Sequence, residues 1–260
     1  RVDARQMTGT PYYSVGYGQG RFVAVGYGGT ISTSEDGERW AHQDSGVKAP
    51  FFGVAFGAES IVVAVAGPHG HDEMLAGVAA AFGEVRRGGV RPVRSAPGVP
   101  GGGLTIADDS EQVHVVMGSR GVARLDRRRE ALDVVNHVFG GGLSSRLFEE
   151  IRERRGLAYA VYSGVSAFED AGVFQMYAGT LPENAEEVQS LLRAELDLLV
   201  ADGITDDELD IAKGYLTGAF ELGLEDTGSR MARAAGLLVT TGSIRPVAEQ
   251  VARWDAVQQD

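Results

Sequence analysis

The hydrophobic pattern changes period near residue 60, and that change limits the possible folds more than any other feature of the chain. Up to that point apolar residues come in short β-branched and aromatic runs, at 12–17, 21–26, 30–34 and 51–56, separated by glycine-rich turns. Eleven of the 37 glycines fall within these first 60 residues, and no helical period is present. The segment therefore reads as all-β.

After a strand at 61–66, a helix is expected near 70–82, with Met74, Leu75, Val78, Ala79 and Phe82 on one face. Residues 84–102 mix Gly, Pro and Arg with little periodicity, as a connection between two units would. Strands are then expected at 103–107 and 111–118, helices at 126–138 and 144–155, and strands at 158–167 and 171–180. Helices at 183–201, 205–223, 227–240 and 245–254 finish the chain, Thr205 and Glu208 being spaced as a capping box. This order predicts an α+β fold, an antiparallel sheet with helices packed on one face, behind a short all-β segment.

With no cysteine among the 260 residues, a disulfide framework, a thiolate metal site and a cysteine nucleophile are excluded. A formal net charge of -12 argues against a nucleic-acid partner, which would need a basic face. Apolar runs such as 61–67 are far shorter than the roughly 20 residues of a membrane-spanning helix, so no membrane partner is expected. The amino-terminal residues have no apolar signal core and read as those of a fragment or processed chain, and a soluble, cytoplasmic location is favoured. Residues 182–226 hold 13 acidic side chains against Arg193 and Lys213, nearly all of the net charge. They read either as the solvated outer face of two amphipathic helices or as an acidic surface guiding basic peptides.

Residues 20–40, GRFVAVGYGGTISTSEDGERW, resemble one repeat of an Asp-box, neuraminidase-type β-propeller. Ser34, Asp36, Gly37 and Trp40 stand for the turn of that repeat, with Gly37 one place early. A weaker copy of 15–26 lies at 54–67, an offset of about 40 residues, the length of a propeller blade. One blade and a fraction cannot close a propeller, so residues 1–60 are expected to be an incomplete propeller-like segment whose Asp box is a structural turn. The G-x-G-x-G spacing of Gly16, Gly18 and Gly20 precedes a strand, the wrong context for dinucleotide binding.

From about residue 61 onward the chain resembles the insulinase or pitrilysin family of zinc peptidases, in particular its processing-peptidase-like bacterial members. The most specific block is residues 136–180, NHVFGGGLSSRLFEEIRERRGLAYAVYSGVSAFEDAGVFQMYAGT. The resemblance implies that 61–83 correspond to the last β-α piece of a first domain and 103–260 to a second domain, cut short at its carboxyl end. Family members hold zinc through H-x-x-E-H and a downstream Glu in their first domain. That motif is missing here: the five histidines are at 42, 69, 71, 114 and 137. His69 and His71, in HGHDE, read as part of an exposed turn or, less well matched to the motif, as metal ligands. No cofactor is expected in this chain, and zinc only in an intact family enzyme.

By the same resemblance Arg152 and Tyr159 match an Arg and Tyr that lie across the cleft from the zinc, where a phenol can stabilise the developing oxyanion. The bland reading makes Arg152 a solvated helix residue and Tyr159 a strand-start packing residue. Gly140, Gly141 and Gly142, with Leu143, Ser144, Ser145 and Arg146, resemble the family's glycine-rich substrate loop in short form. They equally fit a helix end followed by a cap at Ser144. The chain is thus expected to be the noncatalytic half of a zinc metalloendopeptidase, walling a peptide-binding chamber completed by an H-x-x-E-H-bearing domain or subunit. The alternatives are an inactive structural or regulatory subunit, as in respiratory-complex core proteins, and a propeller-type binding module fused to a peptidase remnant.

Overall fold

The computed structural model describes residues 11–18, 20–46, 48, 51, 53–56, 61–65, 70–82, 95, 97–98 and 101–259. Along the chain it places β1 (Tyr12–Gly18), β2 (Arg21–Gly26), β3 (Ile31–Ser34), β4 (Ala41–Gln43), β5 (Gly53–Phe56), β6 (Ile61–Ala64) and α1 (His71–Phe82). Then come β7 (Val113–Gly121), α2 (Arg129–Asn136), β8 (Ala158–Ala167), β9 (Gly172–Thr180), α3 (Ala185–Asp202), α4 (Asp206–Gly223), α5 (Thr227–Thr241) and α6 (Val247–Asp255). The fold is α+β with antiparallel sheets. Its residues form two compact units, Arg1–Val93 with Glu221–Pro246, and Arg94–Phe220 with Val247–Asp260. Among the described residues no helix is long and apolar enough to cross a membrane.

In the first unit β1, β2, β3 and β4 form a four-stranded antiparallel meander, and β5 pairs with β6 in a separate hairpin. No closed ring of sheets is present among the described residues. Val23, Val25, Ile31 and Phe51 make the core, against Val54 and Val63 of the hairpin and Met74 and Val78 of α1. The two hairpins share one register: Val15 faces Ala24 and Tyr17 faces Phe22 in the first, Val54 faces Val63 and Phe56 faces Ile61 in the second. Between β3 and β4 the Asp36 carboxylate accepts the Glu38 and Arg39 amides, each at 2.8 Å, and the Ser34 hydroxyl at 3.0 Å. Those bonds, led by the Arg39 amide, hold its pKa below the usual carboxylate range. Gly37 takes φ +78°, where a side chain would be strained and would press on the Phe22 ring.

In the second unit the sheet order is β7-β9-β8. One face is covered. Phe174, Met176 and Ala178 of β9 and Val161 of β8 meet Phe139, Leu147 and Ile151, and Val188, Leu192 and Leu199 of α3. A second layer joins Val134 and Val138 to Leu209 and Ala212 of α4. The cap of α4 forms as the sequence predicts, Thr205 N donating to Glu208 Oε2 at 2.7 Å and Glu208 N to Thr205 Oγ1 at 3.2 Å. Arg146 adds Nε and Nη2 bonds to Glu208, both 2.7 Å, which lead the fall of the Glu208 pKa to about 2.

Several elements differ from expectation: β4 lies at Ala41–Gln43, where no strand is expected, and β7 ends three residues later than the strand expected at 111–118. Residues 103–107 form no strand; Leu104 and Ile106 are exposed, and three glycines at 101–103 make ordering costly without a partner strand. The helix expected over 126–138 ends as α2 at Asn136, and the chain widens into a π-helical turn over His137–Gly141. Ser163, 27 residues on, lies against this turn, its hydroxyl 2.9 Å from Asn136 Oδ1 and 3.2 Å from Asn136 O. A second π-helical segment, Phe148–Arg154, lies within the helix expected at 144–155.

Candidate functional site

Tyr159 owes its direction to a break in the sheet. β8 pairs with β9 through Ala158 to Thr180 and then Ala160 to Gly179, so that Tyr159 is the extra residue of a β-bulge. In an unbroken strand Tyr159 and Tyr162, three apart, would point to opposite faces. With the bulge both leave the helix-covered face, and Tyr159 is 80% exposed. That odd spacing of two tyrosines inside an alternating strand is the sequence signal for the bulge, which the expected strand at 158–167 did not use.

Arg152 is held against it. Its guanidinium carbon lies 4.5 Å from the centroid of the Tyr159 ring and 4.6 Å from that of Phe148. Its Nη1 donates to Tyr159 O at 3.1 Å, and Glu153 Oε1 stands 3.6 Å from its Nε. Phe148 and Arg152 are four residues apart on a helical segment, the spacing at which side chains meet. The structure thus brings together the two predicted residues and adds Phe148, an aromatic contact that sequence reasoning missed. An exposed phenol beside a guanidinium engaged by two rings can donate a hydrogen bond outward without moving its neighbour.

The predicted loop lies apart from that pair in the chain and is tightly placed at its start. Gly140 belongs to the π-helical turn, and a Cβ there would come within 2.4 Å of Ser163 N. A Cβ on Gly142 would come within 2.8 Å of the His137 ring. Leu143 is 79% exposed, whereas Ser145 is buried and its Oγ has no hydrogen-bond partner.

Beyond the bulge, the face of the β7-β9-β8 sheet turned away from the helices is open. Across the strands Val116, Tyr177 and Tyr162 form one row, and His114 stands beside Tyr177. The Tyr162 and Tyr177 rings stack at 4.8 Å between centroids, and His114 Nδ1 shares a 2.7 Å hydrogen bond with Tyr177 Oη.

The described histidines do not assemble a metal centre. His71 is exposed at the start of α1, His42 is exposed on β4, His114 is bonded to Tyr177, and His137 is buried with its ring stacked on Tyr215 at 4.2 Å. Burial holds the His137 pKa below its usual value. His69 lies outside the described residues. Among the described residues no three His, Asp or Glu side chains converge as ligands, so the described residues do not fit a zinc ion.

The sequence model of the peptidase M16 inactive domain matches residues 51–216. An uncharacterised zinc protease of Streptomyces coelicolor is 42% identical over 212 residues, covering 77% of this chain and 45% of the relative. One of Mycobacterium leprae is 43% identical over 204 residues, covering 76% and 46%. The chain therefore spans a little under half the length of these relatives. Among solved structures, a protease from Helicobacter pylori shares the fold with a TM-score of 0.68 at 23% identity, over 76% of this chain and 49% of that one. The peptidase M16 inactive domain from Pseudomonas fluorescens does so with 0.66 at 22%, over 78% and 49%. With a match over more than half of its length, the chain belongs to the peptidase M16 inactive-domain family.

Proposed function

We propose that this chain is the noncatalytic half of a zinc metalloendopeptidase, in which residues 103–260 wall one side of a peptide-binding chamber and 84–102 connect them to a terminal β-α piece at 61–83. Its partner is a domain or subunit bearing H-x-x-E-H, which supplies the metal and the activated water. The observation that carries the reading is the bulged, outward Tyr159 with Arg152 stacked on its ring. As a peptide carbonyl becomes tetrahedral its oxygen gains negative charge, and the Tyr159 hydroxyl donates a hydrogen bond to it. Arg152 positions the phenol and adds a positive charge near the same oxygen. Gly140–Gly142 and Ser145 shape the chain beside exposed Leu143, which meets the peptide.

The test is complementation. The amino-terminal, H-x-x-E-H-bearing half of a bacterial relative is mixed with this chain and cleavage of an internally quenched peptide is followed. Restored cleavage is expected, with Tyr159→Phe lowering kcat by about 100-fold, the cost of losing one oxyanion donor. Restored cleavage indifferent to Arg152→Ala and Tyr159→Phe would instead favour an inactive structural or regulatory subunit. The fold likeness to a chain of complex III2 from Candida albicans, TM-score 0.62 at 16% identity, supports that second reading. Residues 12–64 hold two hairpins in one register, 39 residues apart, the second of them within the residues that the inactive-domain model matches.

A further inference from the structure

The open face of the β7-β9-β8 sheet has a relief and a charge that the Arg152 and Tyr159 pair does not explain. The row Val116, Tyr177 and Tyr162 stands as a ridge. The next row is Gly118, Gln175 and Gly164, so two of its three positions carry no side chain. A Cβ on either glycine would make only ordinary contacts, 3.5 Å to Phe174 O and 3.8 Å to Gln175 Nε2. Close packing does not require these glycines, and their effect is a trough floored by backbone with one amide side chain in it. The row beyond, Arg120, Val173 and Ser166, forms its far wall. Val116 is 63% exposed and Tyr162 45%, so the ridge presents an aromatic and aliphatic flank to solvent.

Charge is as selective as shape. In a chain with 36 acidic residues, none of the residues of β7, β8 and β9 is acidic. On the face stand His114 and Arg120, whose Nη2 donates to Pro97 O at 3.3 Å, with Arg152 beside it and Glu153 3.6 Å from Arg152; Glu169 and Asp170 lie in the turn between β8 and β9, and Asp108, Asp109 and Glu111 in the residues before β7. A basic ligand finds no carboxylate on this floor, and a second copy of the chain would bring Arg120 toward the same basic face.

We infer that this face binds an extended peptide segment carrying an aromatic side chain flanked by acidic residues, the ring lying in the Gly118–Gly164 trough against Tyr177 and Tyr162. The Gln175 amide pairs with the peptide main chain, and Arg120 faces a flanking carboxylate. This names the substrate class of the proposed chamber and rests on that reading for its purpose, though not for the binding itself.

Binding of dye-labelled short peptides to the full chain, read by fluorescence anisotropy, tests it. Four peptides differ only in a central Phe or Ala and in flanking Asp or Lys. The Phe peptide with Asp flanks is expected to bind about tenfold more tightly than either single replacement, each step being worth one aromatic or charge-assisted contact. Tyr177→Ser with Tyr162→Ser should erase the Phe preference, and Arg120→Gln should reduce the Asp preference, with the circular dichroism spectrum of the chain unchanged. Equal binding of Phe and Ala peptides, or a preference for Lys flanks, would overturn the inference. So would a concentration-dependent dimer broken by the double Tyr variant, which would make a second copy the occupant. If aromatic selectivity fails while the complementation assay still restores cleavage, only the recognition claim falls. Selective binding without restored cleavage removes the chamber reading instead.

Discussion

The two main sheets of the molecule use their faces differently. In the first unit the last four residues of β2 and all four of β3 are buried, so the centre of that sheet is covered on both sides. In the second unit β7 and β9 alternate between covered and exposed positions, and one face stays open. The consequence shows in the polar residues. Ser32, Thr33 and Ser34, enclosed in β3, are each tied to a side chain, of Tyr12, Gln43 and Asp36 respectively. A buried hydroxyl without such a partner would cost on the order of 1–3 kcal/mol. On the open face Tyr162 is exposed, while Arg120 donates to Pro97 O and Tyr177 bonds His114, contacts made at the surface and not within an enclosed layer. A sheet enclosed on both sides is committed to stability, whereas one left open keeps side chains for recognition.

The sharpest break of that contrast would come at Gly140, on the covered side of the second sheet. Gly140→Val is expected to cost at least about 3 kcal/mol, because its branches would overlap Ser163 in a packed turn. Urea denaturation measures it, and a cost below about 0.5 kcal/mol, the ordinary surface range, would show the contact to be loose. Ile151→Ala, fully buried on the same side, should cost roughly 3 kcal/mol, against about 1 kcal/mol for Tyr162→Ser on the open face, where the stack on Tyr177 is what is lost. Similar costs for the two would dissolve the distinction between the faces.

Acid titration sharpens the picture of the covered side. Because the Glu208 pKa is depressed to about 2, its contribution is present above the unfolded carboxylate value near 4.5 and is lost as pH falls toward 2. Glu208→Gln should remove about 2 kcal/mol at neutral pH and flatten that acid limb, the loss of a charge-assisted pair and a cap together. His137 acts at higher pH. Its folded pKa is lowered by burial, so the unfolded chain takes up the proton first, and stability declines as pH falls below about 6.5. His137→Gln should weaken that dependence in melting curves recorded from pH 7.5 to 5.5. The smallest effect belongs to Ser145, whose buried hydroxyl is unpaired: Ser145→Ala should leave stability unchanged or raise it by up to about 1 kcal/mol. A clear loss of stability would assign that hydroxyl a partner.

Elements governed by local pattern were legible in the sequence. β2 and β8 occupy the expected residues, and α3, α4, α5 and α6 begin and end within about two residues of expectation, since period and caps are local signals. What depended on distant contacts was not. Residues 103–107 have the composition of a weak strand but no neighbour to pair with, and α2 ends where Ser163 reaches Asn136. The candidate site divides the same way. The positions of Arg152 and Tyr159 followed from resemblance to a family, whereas their geometry rests on a bulge and on Phe148. The aromatic row of Tyr162, Tyr177 and His114 needed the register of three strands that lie far apart in the chain.

The bulge at Tyr159 also bears on assembly. A loop residue would sample many directions and lose that freedom when a partner docked. Tyr159 is fixed on both sides by the pairing of Ala158 and Ala160 with β9, and so has little backbone entropy left to lose. On the proposed reading, the chain would carry its contribution fully formed before it met a catalytic half, and the rate of joining would then be set by encounter rather than by rearrangement.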